Sequence, residues 1–315
     1  MNSKMRSYNG AVFFVDILGF TALTKGQVKG ITDEDYAAWG VQNDVSQPYS
    51  FLAATIIVEF RDVLHQLKNH YPKVHVGQLS DCAFIWSDDV VVLMQSLHFV
   101  MWTMIQQKGI LCRGGVAYGE IVEVDNVDYN LGAFIVGDAV TRAAKNEGRL
   151  KGPRVTMDET FPDVLWHSLG KSAINVQFAH DIFYPNKSEI DLSVVDEYRW
   201  YLCEDSYVSN TNNLTFEDQV ELTKKRLHLA NTLRSHPRMG WNSRGTDGLV
   251  HLMAGEKSLS ANKLLGVLHN FETENVNDGE RKQSRLESAN NRIDADEYYP
   301  LADEAKWLSK LEDLD

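Results

Sequence analysis

Residues 11–21 read Ala-Val-Phe-Phe-Val-Asp-Ile-Leu-Gly-Phe-Thr. The first five are apolar and rich in β-formers. A run that short, without polar alternation, reads as a strand buried on both faces. It stops at Asp16, a carboxylate at the C-terminal end of the strand, and a turn containing Gly19 follows. Taken alone, Asp16 is an ordinary turn or capping aspartate. So is Asp81, in the polar Ser80-Asp81 pair between two short apolar segments, 74–79 and 82–86, that read as a tight hairpin.

The order of elements around these segments suggests how they meet. Leu52, Ile56, Phe60, Val63 and Leu67 recur at three- and four-residue spacing, so 51–67 reads as a helix, with Pro48 suited to its start. Residues 88–106 form a second, very apolar helix whose Asp88-Asp89 opening complements the helix dipole. Residues 110–120 are a strand with glycines at 114, 115 and 119, continued past a bend at 121–124; 137–149 is a helix and 154–157 a strand. Strand, helix, strand, strand, helix, strand is the ferredoxin-like βαββαβ order, an α+β fold expected to carry its helices on one face of a mainly antiparallel sheet. In such a sheet the first strand and the hairpin are neighbours, so Asp16 and Asp81 are expected to share one edge. Paired carboxylates repel unless a divalent cation lies between them, and Mg²⁺ or Mn²⁺ held by carboxylates and phosphates is a common setting for phosphoryl chemistry. The turn adds backbone N–H groups, from Ile17 to Phe20, for the β- and γ-phosphates, and Gly19 permits a close approach.

Four blocks now carry a resemblance. Phe14-Val15-Asp16-Ile17-Leu18-Gly19-Phe20-Thr21 resembles the F-x-D-I-x-G-F-T signature of class III nucleotidyl cyclases. Ser80-Asp81 resembles the site of their second metal aspartate, 113–120 their R-x-G-x-x-x-G-E strand, and 136–141 their G-D-x-V-N helix start. The resemblance implies an enzyme that converts a nucleoside triphosphate to its 3′,5′-cyclic nucleotide and pyrophosphate. It implies two divalent cations held by the side chains of Asp16 and Asp81 and the carbonyl of Ile17. Phe14, Ile17, Leu18, Gly19, Phe20 and Thr21 would line the substrate. It also implies a homodimer with sites at the interface.

The departures are specific. Where the family places a ribose-orienting Asn and, four residues later, a phosphate-stabilising Arg, this chain has Thr141 and Lys145. Lys keeps the charge and loses the bidentate fork, and Arg142 and Arg149 are near enough in sequence to substitute. Where purine-specific members read the base, it has Gly77 and Phe134, which offer no polar side chain. This leads towards the pyrimidine cyclases of the Pycsar antiphage systems, with UTP favoured and CTP next. The cyclic product would act on a separate effector protein. A purine cyclase with an atypical pocket, or an inactive nucleotide-binding module, are the alternatives. Tyr49 is either an aromatic that narrows the base pocket or an ordinary helix-start aromatic.

Composition bounds the rest. A hydrophobic fraction of 43% supports a packed core, and a net charge of -13 argues against nucleic-acid and anionic-membrane partners. The three cysteines, at 82, 112 and 203, form no C-x-x-C pair, and the first ten residues carry no apolar signal core. The apolar stretches at 11–17 and 90–104 are too short or interrupted to span a bilayer, so a cytoplasmic protein is expected. No G-x-x-x-x-G-K-[ST] loop occurs, and His65, His70 and His75 share no helix face. The expected division is a catalytic domain over 1–160, with a polar insertion at about 25–47. An α/β extension over 161–315 would pack on it and support the dimer. It would include strands near 182–184 and 190–201, helices at 215–233, 258–271 and from 300, and a mobile link at about 272–295.

Overall fold

The computed structural model describes residues 4–42, 46–125, 134–158, 160–169, 183–202, 225, 228–233, 235–244 and 246–260. β1 (Lys4–Ile17) is followed by two short helices, α1 (Phe20–Thr24) and α2 (Asp33–Ala37), and by the long α3 (Pro48–His70). The hairpin β2 (His75–Gln78) and β3 (Cys82–Ser87) leads into α4 (Val90–Thr103), which ends in a π-helical turn at Met104–Lys108. Next come β4 (Cys112–Asp125), β5 (Phe134–Val136), α5 (Asp138–Glu147) and β6 (Val155–Met157). Beyond them lie α6 (Phe161–Leu169), the hairpin β7 (Phe183–Lys187) and β8 (Val194–Tyr198), the single turn α7 (Gly240–Ser243), and α8 (Thr246–Ser260).

Among the described residues all eight strands belong to one mixed sheet, ordered β2-β3-β1-β4-β6-β8-β7, with β5 paired to β4. Neighbours from β2 to β4 are antiparallel, as the ferredoxin-like order requires. β6 joins β4 in parallel, and β8 and β7 continue the sheet antiparallel. Strands from beyond residue 160 therefore extend the first half's sheet.

The period-two alternation of β1 decides what lies on each face. Ala11, Phe13, Val15 and Ile17 enter the main core with Leu52, Ile56, Phe60 and Val63 of α3 and Leu93, Leu97 and Met101 of α4. Burying each large side chain contributes about 1.5–3 kcal/mol. Val12 lies on the other face in a smaller cluster with Trp86, Ala117, Ile121 and, from α5, Ala139 and Ala143.

Several expectations are corrected. Helices cover both faces of the sheet, because α5 packs on the face opposite α3 and α4. Gly115 permits this: a Cβ there would stand 2.1 Å from the Ala143 carbonyl oxygen and 2.4 Å from the Glu147 nitrogen. One expectation holds: β4 runs on through 121–124, its 14 residues in unbroken register with β1. The 25–47 segment is not only loop: Thr32 and Asp35 form a capping box that starts α2. A helix was expected at 258–271, but α8 begins at Thr246, and 261–271 lie outside the described residues. So do the 272–295 link, the helix from 300, and most of the 215–233 helix, of which 225 and 228–233 are helical. No described helix is long and apolar enough to cross a membrane.

Candidate active site

The site is built by strand register. Asp16 is the cross-strand partner of Cys82 on β3 and of Arg113 on β4, so the three side chains form one row on the α5 face. Asp81 precedes Cys82 in the hairpin turn, and its carbonyl accepts a 3.0 Å hydrogen bond from the Ile17 N–H. Within the turn Ser80 holds a φ of 141°, where L-residues are rare, and its carbonyl accepts from the Gln78 side chain at 2.9 Å. Ligand atoms of Asp16, Asp81 and Cys82 all lie within 4.8 Å of one another. This is the metal-competent group among the described residues.

Two further charges complete the cluster. Glu147, at the end of α5, is ion-paired to Arg113 Nε and reaches Asp16. Burial, reinforced by Glu147 and Asp81 and opposed by Arg113, pushes the Asp16 carboxyl up to about 7. Burial, with the neighbouring carboxylates, pushes the Cys82 thiol up to about 11. Arg113, itself paired to Glu147, does not offset the burial and the acids around Asp16, and a divalent cation would supply the positive charge that is short there. The donor set therefore suits a cation of the Mg²⁺ or Mn²⁺ class.

One step along the strands is a second row on the same face: Gly77, Phe84, Phe14 and Gly115, each the register partner of the next. The Phe14 and Phe84 rings lie 4.7 Å apart and are half-buried, an aromatic floor beside the acidic cluster. Gly77 leaves room over Trp86, whose ring would be 3.5 Å from a Cβ there.

The turn after Asp16 corrects an expectation. The Ile17 N–H is taken by Asp81 and the Leu18 N–H by the Leu111 carbonyl at 2.9 Å, so neither is open to phosphate. Gly19 takes the left-handed conformation at φ 80° and gives α1 no side-chain cap. The side chains of Ile17, Leu18 and Phe20 are buried in the main core, and Thr21 is exposed. Tyr49 stands in the α3 layer, behind the sheet from Asp16, against the main core and Gly26. That is the helix-start alternative, away from the aromatic floor.

Thr141 and Lys145 lie on the exposed side of α5, whose Ala139, Ala143 and Asn146 face inward. Arg142 and Arg149 are committed elsewhere. Arg142 binds Asp138, Asp158 and the Tyr118 carbonyl, and Arg149 binds Asp191, Ser193 and Asn146. Phe134 is 52% exposed, at the far end of β4 from Arg113. A single chain therefore does not gather Phe134 with Asp16.

Sequence reasoning singled out Asp16 and Asp81 and missed Cys82, Phe84, Arg113 and Glu147 as members of the site. Cross-strand register brings in Cys82, Phe84 and Arg113, and the packing of α5 brings in Glu147; a linear motif displays neither.

No family model matches the chain, and no curated protein matches it in sequence. Solved structures with a related arrangement include the dimeric guanylyl cyclase domain of the RhoGC fusion protein from Blastocladiella emersonii. It is 15% identical with a TM-score of 0.39, over 63% of this chain and 98% of that one. The adenylyl cyclase CyaB from P. aeruginosa is 12% identical with a TM-score of 0.40, over 62% and 94%. The guanylate cyclase domain of RhGC from Catenaria anguillulae, solved with GTP, is 15% identical with a TM-score of 0.38, over 61% and 97%.

Proposed function

We propose that the chain is a nucleotidyl cyclase that forms a 3′,5′-cyclic nucleotide and pyrophosphate from a nucleoside triphosphate. The observation that carries this reading is the convergence of Asp16 and Asp81 beside an aromatic floor, within the four motif blocks. Bound Mg²⁺ or Mn²⁺ would supply positive charge to the triphosphate and acidify the ribose 3′-hydroxyl. Asp16 and Asp81 would hold the cations through their carboxylates, and Ile17 through its carbonyl. Phe14 and Phe84 offer ring faces to the base, and stacking of this kind tolerates any base. The 3′-oxygen bonds to the α-phosphorus, the bond to the bridging oxygen breaks, pyrophosphate leaves, and the 3′-proton passes to solvent.

The substrate we favour is a pyrimidine triphosphate, UTP before CTP. Gly77 and Phe134 present no polar side chain with which to select a purine. The working unit is a homodimer: Lys145 is exposed on α5, where it can serve the α-phosphate of a partner's site, and Thr141 can orient the ribose. Leu79, Phe134 and Val136, each more than half exposed, suit burial between copies. By the same resemblance, the product is a second messenger that activates a separate effector in antiphage signalling in the cytoplasm.

Asp16→Ala and Asp81→Ala test the reading. Each is expected to lower product formation by about 10³-fold or more, the equivalent of several kcal/mol of charge stabilisation, with the fold intact by circular dichroism. Cyclic product that survives Asp16→Ala would contradict it.

A further inference from the structure

The acidic cluster contains a sulfur that the cyclase reading does not use. Cys82 is the register partner of Asp16, and its Sγ lies within 4.8 Å of ligand oxygens of both Asp16 and Asp81. Three atoms no more than 4.8 Å apart share a point no further than about 2.8 Å from any of them. Thiolate and carboxylate ligands bind Zn²⁺ at about 2.3 Å and about 2.0–2.2 Å, so shifts of at most about 0.5–0.8 Å per ligand atom close the set. Cys112, by contrast, is fully buried on the opposite face of the sheet and cannot join it.

We propose that Cys82 is a third ligand of this site, and that it makes the site a selective trap for borderline-soft divalent cations of the Zn²⁺, Co²⁺ and Cd²⁺ class. The inference rests on the cyclase reading only in taking Asp16 and Asp81 as the metal aspartates. Mg²⁺ is a hard ion that takes oxygen ligands in near-ideal octahedra, so it uses the two carboxylates and leaves the thiol protonated. Zn²⁺ and its congeners bind sulfur well and take all three donors, the thiol proton passing to solvent. Thiophilic cations therefore compete with Mg²⁺ for the same carboxylates and hold the enzyme in an inhibited form.

The probe is Co²⁺ alone, titrated into the full-length protein, with the near-ultraviolet sulfur-to-cobalt charge-transfer band as readout. The wild type is expected to develop the band to one equivalent per chain. Cys82→Ser and Asp16→Ala are each expected to abolish it, and Cys82→Ala, checked for folding by circular dichroism, to match Cys82→Ser. Cys82→Ser should also weaken Cd²⁺ binding by calorimetry about 10- to 100-fold, the scale on which a metal site responds to loss of a supporting group. A band that persists in Cys82→Ser, or no band in wild type, overturns the assignment. Wild type that forms cyclic nucleotide with Mn²⁺ but shows no band removes the thiolate ligand and leaves the cyclase standing. A Cys82-dependent band without product from any triphosphate supports the trap and removes the cyclase.

Discussion

Asp16 is a carboxylate held where water is scarce and another acid stands close. Burial and the nearby acids push its carboxyl up to about 7 from an ordinary 3.8, and two consequences follow. Between those values the folded protein binds more protons than the unfolded one. Cation-free stability should therefore fall as pH rises through that window. Binding of Mn²⁺ needs the ionised carboxylate, so affinity measured by calorimetry should strengthen from about pH 6 to about pH 8. Glu147→Gln removes a charge that raises the carboxyl, and should move this dependence to lower pH. An unshifted profile would show that Glu147 does not govern Asp16. Lys145 makes the second residue-scale prediction. Lys145→Ala should lower turnover by about 10²- to 10³-fold with little change in KM, as loss of a transition-state charge does, and Lys145→Arg should retain activity. At this scale the chain was legible where a linear motif runs through a turn, as at Asp16. It was opaque where a neighbour arrives from another element, as Cys82 and Arg113 do from strands and Glu147 from α5. Tyr49 stayed open between two readings, since sequence position alone cannot say which side of the sheet a helix start occupies.

Elements succeeded or failed as sequence signals according to what their residues face. β1 was visible from Ala11 to Val15 because both faces are buried there. Its first half, Lys4 to Gly10, pairs with β4 but is largely exposed from Met5 to Asn9, and its polar residues gave no periodicity to read. α8 was hidden by its glycines. Gly248 and Gly255 lower helix propensity, yet a Cβ at the first would stand 2.0 Å from the Asn242 carbonyl oxygen, and at the second 2.7 Å from Pro153. Close packing, not flexibility, places them. Gly115 makes the same demand more sharply: Gly115→Ala should destabilise by about 1–3 kcal/mol in urea unfolding and lift α5 from the sheet. Ser80 carries the other backbone demand. Ser80→Gly should leave stability unchanged or raise it by up to about 1 kcal/mol, since glycine accepts a positive φ, while a β-branched residue there should destabilise.

Across the whole molecule, the segment from Pro237 to Arg244 joins parts far apart in sequence. The Arg238 carbonyl accepts from Trp39 Nε1 at 2.9 Å, its guanidinium donates to Glu59 at 3.0 Å and to the Ala38 carbonyl at 3.2 Å, and Arg244 donates to Asp35 at 3.0 Å. Trp241 covers the Gly19 turn, 3.4 Å from where a Cβ would stand. The chain beyond 160 therefore covers this turn while it is anchored to the 25–47 segment, which no local pattern in either could announce. Truncation after residue 170 should cost solubility, dimerisation and activity together, by light scattering and product assay. A truncated chain that keeps all three would refute the bracing role.

The measurement that bears most directly on the central claim is a product assay. Purified protein is incubated separately with ATP, GTP, CTP and UTP, with Mn²⁺ or Mg²⁺, and the products are resolved by chromatography with mass detection. The account predicts a 3′,5′-cyclic pyrimidine nucleotide and pyrophosphate. Cyclic AMP or cyclic GMP would keep the cyclase and remove the roles given to Gly77 and Phe134 in substrate choice. No cyclic product from any of the four would contradict the account.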